Sequence, residues 1–113
     1  MPARMPARMA EFLLEVYISR QDDDAAARGA SAARAAAEEM RSHGVPITFV
    51  RSIFVPDDET CYYLFDATAV EHVLEAARLA GLPPQHVALA ITQPLWDDSW
   101  REHPAAAPTV MQD

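Results

Sequence analysis

Two sets of side chains in this 113-residue chain have the types and spacing for chemistry. The first is Glu15, Tyr17, Arg51 and Tyr62. A carboxylate, a guanidinium and two phenols on one surface would bind a small polar ligand or trade protons with it. The second is His72 and His86, with Glu71 or Asp66 as a neighbouring carboxylate. Imidazole binds nickel, copper and zinc, so this set is a candidate transition-metal site. His43 and His103 complete the histidines, and no two are spaced His-x-x-x-His. The lone Cys61 excludes a Cys-x-x-Cys half-site. It reads as a small buried hydrophobe, because no adjacent residue would activate its thiol. Three scattered glycines make no phosphate-binding loop.

Each set has a plainer alternative. Glu15 and Arg51 would form an ion pair at a dimer seam, since a half-buried sheet face needs cover. The histidines would be surface residues, with His43 complementing the dipole at a helix end.

The elements that must position these residues follow from pattern. Residues 11–18 alternate, with Phe12, Leu14, Val16 and Ile18 on one face and Glu11, Leu13, Glu15 and Tyr17 on the other. The acidic run Asp22-Asp23-Asp24 caps an alanine-rich helix that reaches about Ser42. Gly29 weakens its first part, so the start could slip towards Ser31. Gly44 and Pro46 end it. Strands over 47–55 and 60–66 flank a Pro-Asp-Asp-Glu turn, with Val55 paired to Thr60. That register puts Arg51 and Ile53 on one face with Tyr62 and Leu64, and Phe49 is counted there too. Val50, Ser52, Phe54, Cys61, Tyr63 and Phe65 take the other face. A second helix over 69–79 carries a stripe of Val70, Val73, Leu74 and Ala77 and stops at Gly81. A strand over 86–92 follows. The chain reverses between His72 and His86, so the two are expected to approach one another.

The order β-α-β-β-α-β implies an α+β domain of the ferredoxin-like sandwich type: four antiparallel strands with two helices on one face. It occupies residues 10–93. Residues 1–9 hold a tandem Met-Pro-Ala-Arg and read as a flexible leader. Residues 94–113 form a tail whose end reads as disordered. Its Trp96 and Trp100, one turn apart, would pack on the domain or a partner, or close over the open sheet face.

The net charge of −8, with no lysine, argues against nucleic acid and anionic membranes as partners. There is no apolar run of ~20 residues and no secretory signal, which makes the cytoplasm the expected location.

The stretch Arg51-Ser52-Ile53-Phe54-Val55-Pro56-Asp57-Asp58-Glu59, then Cys61 and Tyr63, then Ala76-Ala77-Arg78-Leu79-Ala80-Gly81-Leu82-Pro83, resembles a family of small bacterial proteins whose best-studied type is nickel-binding. The resemblance implies the ferredoxin-like fold, a homodimer formed through the sheet, and nickel as the ligand. The chain departs from the nickel-type pattern in having Arg51 before the serine of the second strand, and Ala76 late in the second helix, where that pattern has histidines. Two functions are therefore expected. One is a cytoplasmic, homodimeric binding protein for a transition metal such as nickel, using His72 and His86. The other is a small-molecule binding or catalytic module of the dimeric α+β-barrel type, using Glu15, Tyr17, Arg51 and Tyr62.

Overall fold

The computed structural model describes residues 8–91. Strand β1 (Ala10–Tyr17) leads into α1 (Asp23–Ser42), then β2 (Ile47–Val55) and β3 (Thr60–Ala67), then α2 (Val70–Ala80) and β4 (His86–Ala90). The strands form one sheet in the order β2-β3-β1-β4, every neighbour antiparallel. This is the expected ferredoxin-like β-α-β-β-α-β fold. The tail with Trp96, Trp100 and His103, and most of the leader, lie outside the described residues. No described helix is long and apolar enough to cross a membrane.

Helix α1 starts where its cap permits. The Asp22 carboxylate accepts the Ala25 backbone N–H at 3.2 Å, which satisfies one of the first turn's free donors. Its buried stripe is Ala26, Gly29, Ala33, Ala36, Ala37 and Met40, at helical spacing. Alanines let α1 approach the sheet closely. At the far end Gly44 takes φ +87°, and the Val45 N–H closes back on the Met40 carbonyl at 3.0 Å. The Arg41 side chain donates to the Ile47 carbonyl at 3.0 Å and ties the start of β2 to the helix end.

The core side of the sheet carries Leu14, Val16, Cys61, Tyr63, Phe65 and Ala67, all buried. Helix α2 buries Val73, Ala76 and Ala77. Its stripe is rotated from the expected one, and Leu74 is left 43 % exposed. Turning Ala76 and Ala77 inward brings α2 in close, which a leucine at the contact would prevent.

The β2–β3 hairpin keeps the expected register, Val55 opposite Thr60. Pro56–Asp58 form a single 3-10 turn, and Glu59 sits at φ +49° to close it. That left-handed residue also ties the hairpin to β1. Its carbonyl accepts the Ile18 N–H at 3.0 Å, and its carboxylate accepts the Arg20 N–H at 3.0 Å.

One face assignment is corrected. A bulge lies between Phe49 and Arg51, leaving Val50 as the extra residue against β3. The phase of β2 slips by one there. Phe49 therefore leaves the face of Arg51 and Ile53 and enters the core. Its ring lies 5.4 Å from that of Phe65, at 65°, and 5.4 Å from the Arg34 guanidinium.

Candidate functional site

The sheet face away from the helices is open, and the strand registers fix what stands on it. Glu15 of β1 lies opposite Tyr62 on one side and opposite His86 on the other. Tyr62 in turn lies opposite Ile53. Ile53, Tyr62, Glu15 and His86 thus form one row across all four strands. Directly opposite residues on one face have Cβ atoms about 4.5–5.5 Å apart, close enough for side chains to share a ligand. Arg51, Leu64, Leu13 and Ala88 form the neighbouring row. Tyr17, 55 % exposed, ends β1 opposite Thr60 and also borders a cleft of about 350 Å³ with Arg28 and Gly81.

The two residue sets that the sequence separates are regrouped here. His86 joins Glu15 and Tyr62, which nothing in the sequence pattern signals, because the β1–β4 register depends on the 82–85 connection. His72 goes elsewhere. It sits in the first turn of α2, in the helix layer, beside a cleft of about 260 Å³ lined by Met40, Val45, Glu71, His72 and Glu75. Its Nδ1 is buried there without a hydrogen-bond partner. Nine residues of helical rise, about 13 Å, separate it from Gly81 at the other end of α2. His86 lies beyond that end and projects from the opposite side of the sheet. The expected approach of His72 and His86 is not made within one chain. The chain does reverse between them, but only after the whole helix has been traversed. Glu71 stays with His72. Asp66 is on the open face, two rows from His86.

Arg51 is exposed on the open face. Among the described residues, the ion pairs join Arg20 to Glu59, Arg28 to Asp22, His43 to Glu39 and Arg78 to Glu75. Arg51 is in none of them, so the expected pair with Glu15 is not formed within the chain. The two residues are two strands and one row apart, about 12 Å between Cα atoms at ordinary sheet spacings. Also among the described residues, no group of three or more His, Cys, Asp or Glu side chains could hold a metal ion. The donors that share a row are two, Glu15 and His86. Cys61 is fully buried on the core side, and burial pushes its thiol up, so it offers neither a nucleophile nor a metal ligand.

The acidic end of the face has a measurable consequence. Asp66 lies opposite Glu11, and burial, then the charge of Glu11, raise its carboxyl above the ordinary range. The folded state therefore holds this proton more tightly than the unfolded chain. The stabilisation is complete below the ordinary Asp value and is lost as pH rises through the raised one. Asp66→Asn is expected to raise the urea midpoint at neutral pH and to weaken the gain in stability on acidification towards about pH 4. An unchanged or lower midpoint at neutral pH would count against that account.

Neither a curated protein nor a solved structure gave a match to this chain. A family profile did. It spans residues 15–89, from the carboxylate of the open-face row through both helices to Leu89 of β4. The matched profile is described as nickel responsive protein SCO4226-like, and the chain belongs to that family.

Proposed function

We propose that this protein is a cytoplasmic nickel-binding homodimer whose metal is held on the open sheet face by Glu15 and His86. The observation that carries this reading is the direct cross-strand pairing of those two residues, in a family described as nickel responsive. An imidazole nitrogen and a carboxylate oxygen are ligands that suit Ni²⁺. When bound, nickel would supply a Lewis-acidic centre at the rim of the sheet. Tyr62, next in the row, stands where a phenol hydroxyl can donate to the Glu15 carboxylate and orient it, as outer partners do for metal-binding carboxylates. A second copy is the expected cover for the exposed Ile53 and its apolar neighbours Leu13 and Leu64.

The test is calorimetric titration of tag-free protein with nickel chloride. His86→Ala and Glu15→Gln should each weaken binding at least tenfold, roughly the loss of one of two ligands. His72→Ala should change it less than twofold. Saturable binding that survives His86→Ala but not His72→Ala would move the site to the helix-layer cleft and end this reading.

A further inference from the structure

The outer surface of α1 carries a stripe of Asp24, Arg28, Ala32, Ala35, Glu39 and, at the C-cap, His43, whose polar members are all exposed. Their spacing is four, four, three, four and four residues, which keeps all six on one side of the helix. Turned end for end, Asp24 falls on His43, Arg28 on Glu39 and Ala32 on Ala35. We propose that this stripe is a self-association surface, on which α1 of a second copy lies antiparallel so that Arg28 of each chain meets Glu39 of the other. It lies on the helix layer, on the other side of the molecule from the open sheet face, and is independent of the copy proposed there.

A contact between two copies of one patch turns that patch on itself through a two-fold axis. Only a patch whose charges are complementary under that turn avoids setting like against like. This stripe is such a patch. Arg28 meets Glu39 twice, and Asp24 meets His43 twice, where an imidazole N–H can donate to the carboxylate. A helix of unrelated sequence would need no such symmetry, which is why the occupant is a second copy. The middle of the stripe suits a close crossing. Ala32 and Ala35 let two helix axes approach to about 8 Å, within reach of the charged side chains on either side. Beside them a cleft of about 390 Å³ lies between α1 and α2, lined by Ala32, Ala35, Ala36, Glu39 and Leu79. Leu79 is 45 % exposed and gives the contact an apolar edge. The partners made within the chain are easily exchanged. Arg28 faces Asp22 at 3.7 Å and Glu39 faces His43 at 3.5 Å, and all four side chains are more than half exposed. Exposed pairs of this kind contribute little, so trading them for pairs across the axis costs little. Arg28 and Glu39 stand about 16 Å apart along α1. A contact of that length buries less than a standard interface, so the association is weak and reversible.

Sedimentation of the full chain, from about ten micromolar to about one millimolar, reads the association. Wild type should show a reversible doubling of mass. Arg28→Glu and Glu39→Arg should each weaken that step about tenfold or more, since each sets like charges opposite one another at both ends of the contact. The double variant, Arg28→Glu with Glu39→Arg, exchanges the charges and should associate like wild type. So should an equimolar mixture of the two single variants, because one stripe is then acidic, the other basic, and the two match. Far-ultraviolet circular dichroism establishes that each variant is folded. Wild type whose mass does not change with concentration overturns the proposal. An association step that ignores both single variants belongs to the open sheet face and overturns it too. So does a loss in the single variants that neither the double variant nor the mixture restores, since the charges would then act within one chain and not across a two-fold axis.

Discussion

Replacing Phe65 with alanine is expected to remove about 3 to 5 kcal/mol of stability, the cost of truncating a buried aromatic. Domains of this kind have about 5 to 15 kcal/mol in total, so the variant should be unfolded or barely folded at ambient temperature. Phe65 is fully buried at the centre of β3. It lies opposite Phe12 of β1 and Phe49 of β2, so one ring fills the space under three strands. The Phe49 ring meets it edge-on, an arrangement that adds about 0.5 to 1.5 kcal/mol beyond the area buried. Helix α1 faces the sheet mostly with alanines, so little of it can move in to fill the hole. Urea unfolding followed by circular dichroism is the measurement. Glu38→Ala, on the exposed side of α1, is the control and should shift stability within about 0.5 kcal/mol. A Phe65→Ala loss below about 1.5 kcal/mol would mean that the packing described is not what holds the sheet to its helices.

The same phenylalanines show how much the sequence discloses. Strict alternation in β1 and β3 reveals both faces of those strands, and the acidic turn fixes the register of the β2–β3 hairpin. That was enough to place Glu15, Tyr17 and Tyr62 on the open face. In β2 the apolar positions change phase, from Ile47 and Phe49 to Phe54. That slip is the trace of the bulge at Val50, and reading it as unbroken alternation sends Phe49 to the wrong side. The cross-strand meeting of Glu15 with His86 is not legible at all. It depends on where the chain re-enters the sheet after Gly81, which is set by the Leu82 N–H closing on Ala77 and the Gln85 N–H donating to the Glu15 carbonyl at 2.7 Å. The first is a local cap that Gly81 signals, but the second is a tertiary contact without a local signature. His72 misleads for the converse reason. Short separation in sequence suggests proximity, but a straight helix carries the intervening residues away.

Gly29→Ala is the second large effect, and its sign runs against helix propensity. Alanine in place of glycine inside a helix ordinarily stabilises by up to about 1 kcal/mol. Read alone, Gly29 suggests a helix that starts late. Yet α1 runs unbroken from Asp23, with Gly29 buried within it. The reason lies across the core. A Cβ at position 29 would stand 2.1 Å from the Tyr63 hydroxyl oxygen and 2.9 Å from its Cζ, with Leu82 Cδ2 at 3.2 Å. Tyr63 has no room to retreat. It is fully buried, and its hydroxyl donates to the Ala26 carbonyl at 3.4 Å. Burial first, and then the neighbouring Cys61, push its phenol up, so it stays a protonated donor. Overpacking of this kind costs about 1 to 3 kcal/mol. Against the propensity gain, the net expectation is a loss of about 1 to 2 kcal/mol, read from the urea midpoint. Tyr63→Phe removes the oxygen that the new methyl would strike first. In that background Gly29→Ala should cost less, with a coupling of about 1 kcal/mol between the two sites. If Gly29→Ala instead stabilises the protein by the full propensity increment, the phenol is not what holds position 29 to glycine. If the double mutant is merely additive, the two residues do not share the space that the fold assigns to them.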